Sequence, residues 1–178
     1  MSAVQKRFVV VSGLPASGKT TLARALAPAL GLRLLDKDDM LERLFAERGT
    51  GDRARRQVLS RESDRMLQAE AAASRGAVLV SHWRVPGLPD GSGTPVDWLR
   101  ELPGRLVHVR CLCPPGIAAA RFLERKRHTG HLDADVSYAD LVARFQSAAA
   151  LDLEPAIEVD TTRAPDIEAI VRAVDAAF

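Results

Sequence analysis

An α/β fold, with a parallel sheet covered by helices on both faces, is what this sequence predicts. Three observations carry that expectation. Short, wholly apolar runs such as Phe8-Val9-Val10-Val11 and Ala77-Val78-Leu79-Val80 suit strands buried on both sides. Between such runs lie longer stretches whose apolar residues recur at helical spacing. The two kinds of segment alternate along the whole chain, which is the order of parallel strand–helix units.

The elements follow in turn. Phe8 to Val11 is the first strand, ending at Ser12-Gly13. From Lys19 onward, Leu22, Ala23, Leu26, Ala27 and Leu30 share one helix face, and Gly31 stops the helix. Arg33-Leu34-Leu35 is a second short strand that runs into Asp36-Lys37-Asp38-Asp39. Met40, Leu41, Leu44 and Phe45 mark the next helix, closed by Gly49 and Gly51. Arg53 to Arg75 is a long helix packing through Val58, Met66 and Leu67, and Gly76 stops it. Arg53, Arg55 and Arg56 read as its solvated start.

Ala77 to Val80 is the third strand. The Gly/Pro-rich connection from Pro86 to Pro95 is a candidate binding loop. Asp97 to Leu102 reads as a short helix and Leu106 to Leu112 as the fourth strand. Pro114-Pro115 open a helix that runs through Ile117, Arg121, Phe122 and Arg125, because proline fits a first helical turn. His128 to Val136 is polar with a glycine and is expected to be mobile. Ser137 to Leu151 is expected to be helical, Ile157 to Asp160 is the fifth strand, and Asp166 to Phe178 is a closing amphipathic helix.

Composition narrows the class. The chain has 178 residues, 47% apolar and 27% charged, which excludes a disordered or fibrous protein and fits one domain over residues 1–178. No apolar run approaches the roughly 18 residues of a membrane span. The segment Met1 to Phe8 lacks the pattern of a signal peptide, so a cytoplasmic protein without a membrane partner is expected. A net charge of +2 and only 4% aromatic residues argue against nucleic acid as a partner. Cys111 and Cys113 are expected to be reduced, buried and inert, facing opposite ways, since Cys-x-Cys lacks the second ligand pair of a zinc site. Oligomeric state stays open.

One motif carries the chemistry. Gly13-Leu14-Pro15-Ala16-Ser17-Gly18-Lys19-Thr20 matches G-x-x-x-x-G-K-[ST] between a buried strand and a helix. The glycines let successive N–H groups face inward as an anion nest, and the helix adds its unpaired leading N–H groups. Lys19 is expected at the β- and γ-phosphates, Thr20 on Mg²⁺, and Thr21 beside them. The segment therefore predicts binding of a nucleoside triphosphate, ATP or GTP, with Mg²⁺.

Two further groups suit phosphoryl transfer. Asp36, Asp38 and Asp39 stand where the second strand ends, and transfer to an alcohol needs a carboxylate about 2.6–3.2 Å from the hydroxyl. Asp38 or Asp39 could equally N-cap the following helix. Arg121 and Arg125 lie four apart on one helix face, and arginine's planar donor fork suits the charge of a transferring phosphoryl group.

Together, the loop and Leu34-Leu35-Asp36-Lys37-Asp38-Asp39 resemble the small P-loop kinases. These include shikimate and gluconate kinases, polynucleotide kinase domains, and chloramphenicol phosphotransferase with the zeta toxins. The resemblance implies a three-layer P-loop fold with five parallel strands in the order 2-3-1-4-5. It also implies Asp38 as the base and Asp36 near Mg²⁺ through water or beside the acceptor. Arg121 would stack on the nucleotide base and Arg125 would clamp the triphosphate, with Arg127 as an alternative, in a lid at about residues 125–137. Val159-Asp160-Thr161-Thr162 would line the adenine.

The third strand ends Val80-Ser81-His82-Trp83-Arg84 without the carboxylate that many such enzymes place there. Open α/β sheets bind ligands at this edge, so His82, Trp83 and Arg84 are expected in the acceptor pocket. Trp83 would offer a flat apolar face and Arg84 an anion partner. Gly91-Ser92-Gly93-Thr94-Pro95, with Asp97 and Trp98, would form the opposite wall. The expected activity is O-phosphorylation of a small molecule, such as a sugar, a nucleoside or an antibiotic-like alcohol. Two other readings stand beside it: a polynucleotide 5′-hydroxyl kinase, and a regulatory nucleotide-binding module with slow ATPase activity.

Overall fold

The structure, a computed structural model, describes residues 5–86, 92–125 and 136–178. Strands β1 (Arg7–Ser12), β2 (Arg33–Asp36), β3 (Gly76–Val80), β4 (Arg105–Leu112) and β5 (Ala156–Asp160) form one sheet in the order β2-β3-β1-β4-β5. Every pairing is parallel. The helices among the described residues are α1 (Lys19–Ala29), α2 (Lys37–Arg48), α3 (Arg53–Ala73), α4 (Pro115–Glu124), α5 (Tyr138–Ser147) and α6 (Ile167–Ala177), with a 3₁₀ turn at Asp97–Glu101. Fold class and strand order are those expected.

The apolar run of β1 explains its central place. Phe8, Val9, Val10 and Val11 are all 0% exposed. Side chains alternate across a strand, so Val9 and Val11 pack toward Leu22, Leu26, Ile170 and Val174 of α1 and α6. Phe8 and Val10 face the other way, with Leu35, Leu67, Leu79 and Leu99. Register then positions the site. Asp36 is level with Val80, and Val80 with Val11. Two inter-strand spacings, roughly 10 Å, therefore separate the acidic segment after β2 from the loop after β1, on one edge of the sheet.

Several local expectations shift. Helix α5 ends at Ser147 instead of continuing to Leu151. Beyond it the Ala149 N–H donates to the Pro86 carbonyl, and Leu151 and Leu153 enter the core that covers Phe8 and Val10. Val58 is 51% exposed, whereas the buried stripe of α3 is Leu59, Ser63, Leu67 and Ala71, at four-residue spacing. Its polar member, Ser63, hid that stripe from a purely apolar reading. Both cysteines are free and buried, and they do enter different clusters. Residues two apart on a continuous strand share a face. The two diverge because β4 ends at Leu112, which lets Cys113 join α4 and α5. The expected mobile segment lies mostly outside the described residues, as does the middle of the Pro86 to Pro95 connection.

Candidate active site

The loop between β1 and α1 is built on glycine geometry. Gly13 has φ +145, and a Cβ there would sit 2.7 Å from Ser17 Oγ and 2.9 Å from the Cys111 carbonyl oxygen, so only glycine fits. Gly18, at φ +96, precedes α1, whose leading N–H groups have no side-chain cap and so are free to meet an anion. Ala16 takes φ +60, a left-handed conformation uncommon for a residue that carries a side chain. The buried Lys19 Nζ donates to the carbonyls of Gly13 (2.9 Å) and Leu14 (2.7 Å), which fixes the ammonium at the loop. Burial lowers its pKa to about 8, while the charges of Asp38 and Asp36 act in the opposite direction.

Asp36 ends β2 and is only 4% exposed. Its Oδ1 accepts the Asp38 N–H at 2.9 Å, so Asp36, not Asp38 or Asp39, caps α2. Burial raises the Asp36 pKa to about 6, reinforced by the charges of Asp38 and Asp39 and opposed by the Asp38 N–H hydrogen bond and the neighbouring Thr20 hydroxyl. Its Oδ2 is buried without a hydrogen-bond partner among the described residues. A hydroxyl and an unsatisfied carboxylate oxygen side by side make a hard-oxygen donor set. Thr20 and Asp36 therefore fit Mg²⁺.

These groups open on a cleft of about 930 Å³ that Pro15, Ala16, Gly18, Lys19, Thr20 and Thr21 line from the loop. Asp36, Asp38, His82, Ser92 and Gly93 form one side, and Arg121, Arg125 and Thr161 the other. Gly13 and Leu14 face a second cavity, and Ser17 is buried inside the loop. The Arg121 guanidinium donates to the carbonyls of Thr161 (2.9 Å) and Thr162 (3.1 Å), which holds its plane against the turn after β5. The Arg125 guanidinium lies 4.1 Å from the Phe122 ring centroid, a cation–π contact at the end of α4. Arg127 and most of the expected lid fall outside the described residues.

Expectations for the acceptor side divide. His82 lines the cleft. Burial, then the charges of Lys19, Arg144 and Lys37, lower its pKa to about 4, so it is neutral at pH 7. Trp83 does not line this cleft: it is 4% exposed, its Nε1 donates to the Val11 carbonyl, it packs 6.3 Å from Trp98, and it borders the second cavity instead. Arg84 is also displaced from the cleft, its guanidinium donating to the Gly93 carbonyl. Side chains alternate along the short extension that pairs Trp83 with Thr94, so His82 can face the cleft only if Trp83 turns inward. Trp98 donates to the Pro95 carbonyl and Asp97 is exposed, so neither reaches the cleft.

Sequence reasoning missed a buried network beside Asp38. Lys37 Nζ lies 2.8 Å from Asp64 Oδ1 and 3.0 Å from Ser60 Oγ. Asp64 also accepts from the Thr94 hydroxyl, which is hydrogen-bonded to Ser81. The start of α2, the middle of α3 and the connection after β3 are thereby tied together. The available signal was Ser60, Ser63 and Asp64 on the inner side of a helix otherwise packed by leucines. Arg144, which lines the cleft from α5, was also missed.

Comparison with known proteins agrees with this geometry. A family model described as an AAA domain matches residues 8–147. A cytidylate kinase from Methanothrix thermoacetophila is 46% identical over 42 residues, 24% of each chain. A shikimate kinase from Corynebacterium glutamicum is 37% identical over 79 residues, covering 40% of this chain and 43% of that one. The chain thus spans less than half the length of the curated relatives it matches. A structure from Chloroflexus aurantiacus assigned to the kinases superposes with TM-score 0.80 at 29% identity, over 98% of this chain and 99% of that one. A gluconokinase from Sinorhizobium meliloti shares the fold, with TM-score 0.55 at 22% identity over 95% and 89%.

Proposed function

The chain belongs to the AAA domain family, and from that premise we propose that it is a Mg²⁺- and nucleoside triphosphate-dependent O-phosphotransferase acting on a hydroxyl of a small molecule. One observation carries the reading: the Asp38 carboxylate and the Lys19 ammonium open on the same cleft and act on each other electrostatically. The relatives named above are kinases, which supports the reaction class.

The triphosphate lays its β- and γ-phosphates on the N–H groups of residues 13–20 and on Lys19. Thr20 and Asp36 would hold Mg²⁺, which would neutralise phosphate charge when bound. The acceptor O–H donates to Asp38, which takes the proton as the oxygen bonds to the γ-phosphorus. The bond from that phosphorus to the bridging oxygen breaks, and the nucleoside diphosphate leaves. Arg125 donates to the oxygens of the transferring group, where its charge acts most strongly in a water-poor cleft. Arg121, fixed by two carbonyls, offers its flat face to the nucleotide base.

The test is Asp38→Asn. Turnover falls about a hundredfold to ten-thousandfold, the range of lost acid–base help, while MgATP affinity holds. Nucleoside diphosphate release over a panel of hydroxyl compounds reads the first quantity, and calorimetry the second. Wild-type turnover in the variant removes Asp38 from the mechanism. Nucleotide binding with no transfer to any acceptor points to a regulatory module instead.

A further inference from the structure

Resting on the phosphotransferase reading, we infer that the acceptor is an alcohol with an apolar body, and that this body occupies the second cavity, behind the phosphate loop. That cavity measures about 680 Å³ and is walled by Leu14, Trp83, Val85, Cys111, Leu112 and Phe145. Of its three charged members, Arg110 and Asp160 are engaged elsewhere, and Arg144 stands where the cavity meets the cleft. Arg110 bonds to Glu158 and to the Leu151 carbonyl, and Asp160 accepts from the Thr162 hydroxyl and N–H. Burial pushes the Cys111 thiol up to about 12, so it stays neutral. Such walls offer a polyol few hydrogen bonds, and a hydroxyl buried there without partners is strongly disfavoured.

Continuity with the reaction cleft points to the acceptor as occupant. Pro15, His82, Arg144 and Phe145 line both spaces, so side chains of these four residues partition them. His82 lies within the electrostatic reach of Asp38 and is neutral at pH 7, so of these four residues only Arg144 brings a charge to the boundary between the base and the cavity. A hydroxyl held at Asp38 can therefore carry an apolar substituent past His82 and Phe145. Size is sufficient, since a dry cavity of roughly 150 Å³ already admits benzene. The arrangement suits ligand sites in general: apolar walls that bind, and a few convergent polar groups that orient.

The experiment compares ω-phenylalkanols of increasing chain length with polyols as acceptors, using the full chain and MgATP. Calorimetric titration with 4-phenylbutan-1-ol gives a readout that needs no turnover. KM is expected to fall roughly fourfold for each methylene added, the transfer free energy of one buried CH₂, and to stay flat across the polyols. Two variants alter walls remote from Asp38: Ala148→Phe narrows the cavity and Val85→Asp places a carboxylate in it. Each is expected to weaken phenylalkanol binding about tenfold or more and to leave MgATP affinity unchanged. KM independent of chain length, or phenylalkanol affinity unchanged in both variants, overturns the inference. Binding that does not compete with a phosphorylated polyol also overturns it, since the cavity is then an effector site. Transfer to polyols without phenylalkanol binding sinks this inference alone. Phenylalkanol binding that the variants abolish, with no transfer to any acceptor, sinks the phosphotransferase reading and the acceptor assignment with it.

Discussion

Replacing Lys37 with methionine removes one half of a buried ion pair while keeping a side chain of similar length. Lys37 and Asp64 are 9% and 12% exposed, with Nζ 2.8 Å from Oδ1. Removing one partner of such a pair leaves an uncompensated charge and costs about 3–5 kcal/mol. Asp64 keeps the hydrogen bond from Thr94 at 2.7 Å, which places the loss near the lower end, at about 3 kcal/mol. In a chain of this size each kcal/mol lowers Tm by roughly 2–4 °C, so a fall of about 6–12 °C is expected. Scanning calorimetry at pH 7 and urea unfolding followed by circular dichroism measure it. The double variant Lys37→Met/Asp64→Leu, with neither charge left, recovers most of the loss. A Lys37→Met shift below about 2 °C would refute the reasoning, because the pair would then be solvated. So would a double variant no more stable than the single one.

Two pH effects follow from the same cleft. The Lys19 pKa is about 8 in the folded chain against 10.5 unfolded, so the folded state binds fewer protons between those values. Wild type therefore gains stability relative to Lys19→Met as pH rises from about 8 to 10.5, and a gap that does not change with pH contradicts the burial argument. The Asp36 pKa stands at about 6 against 3.8, so the carboxylate that the proposed Mg²⁺ site would use is lost as pH falls through about 6. Mg²⁺-dependent nucleotide affinity should weaken there in calorimetry, and Asp36→Asn should flatten that dependence.

Much of the fold was legible because its signals are local. A buried parallel strand must be apolar on both faces, as Phe8 to Val11 is, and helical spacing marks α1 within a few turns. Where local spacing misled, burial by distant residues decided. Leu151 continues the apolar pattern of α5, yet the core beneath the sheet draws it out of the helix. Val58 offers an apolar side chain to the wrong side of α3, while Ser63 takes the buried position.

The site divides in the same way. By itself the sequence determined the phosphate loop, because an anion nest is made by the backbone of consecutive residues and needs no distant partner. It also determined that acidic side chains would follow β2 at the ligand-binding edge of a parallel sheet. Only the tertiary structure decided which carboxylate caps α2, that Trp83 turns inward while His82 meets the cleft, and that Lys37 reaches Asp64. The physical reason is that capping, burial and charge pairing depend on atoms brought together from separate elements, and no window along the chain contains both partners.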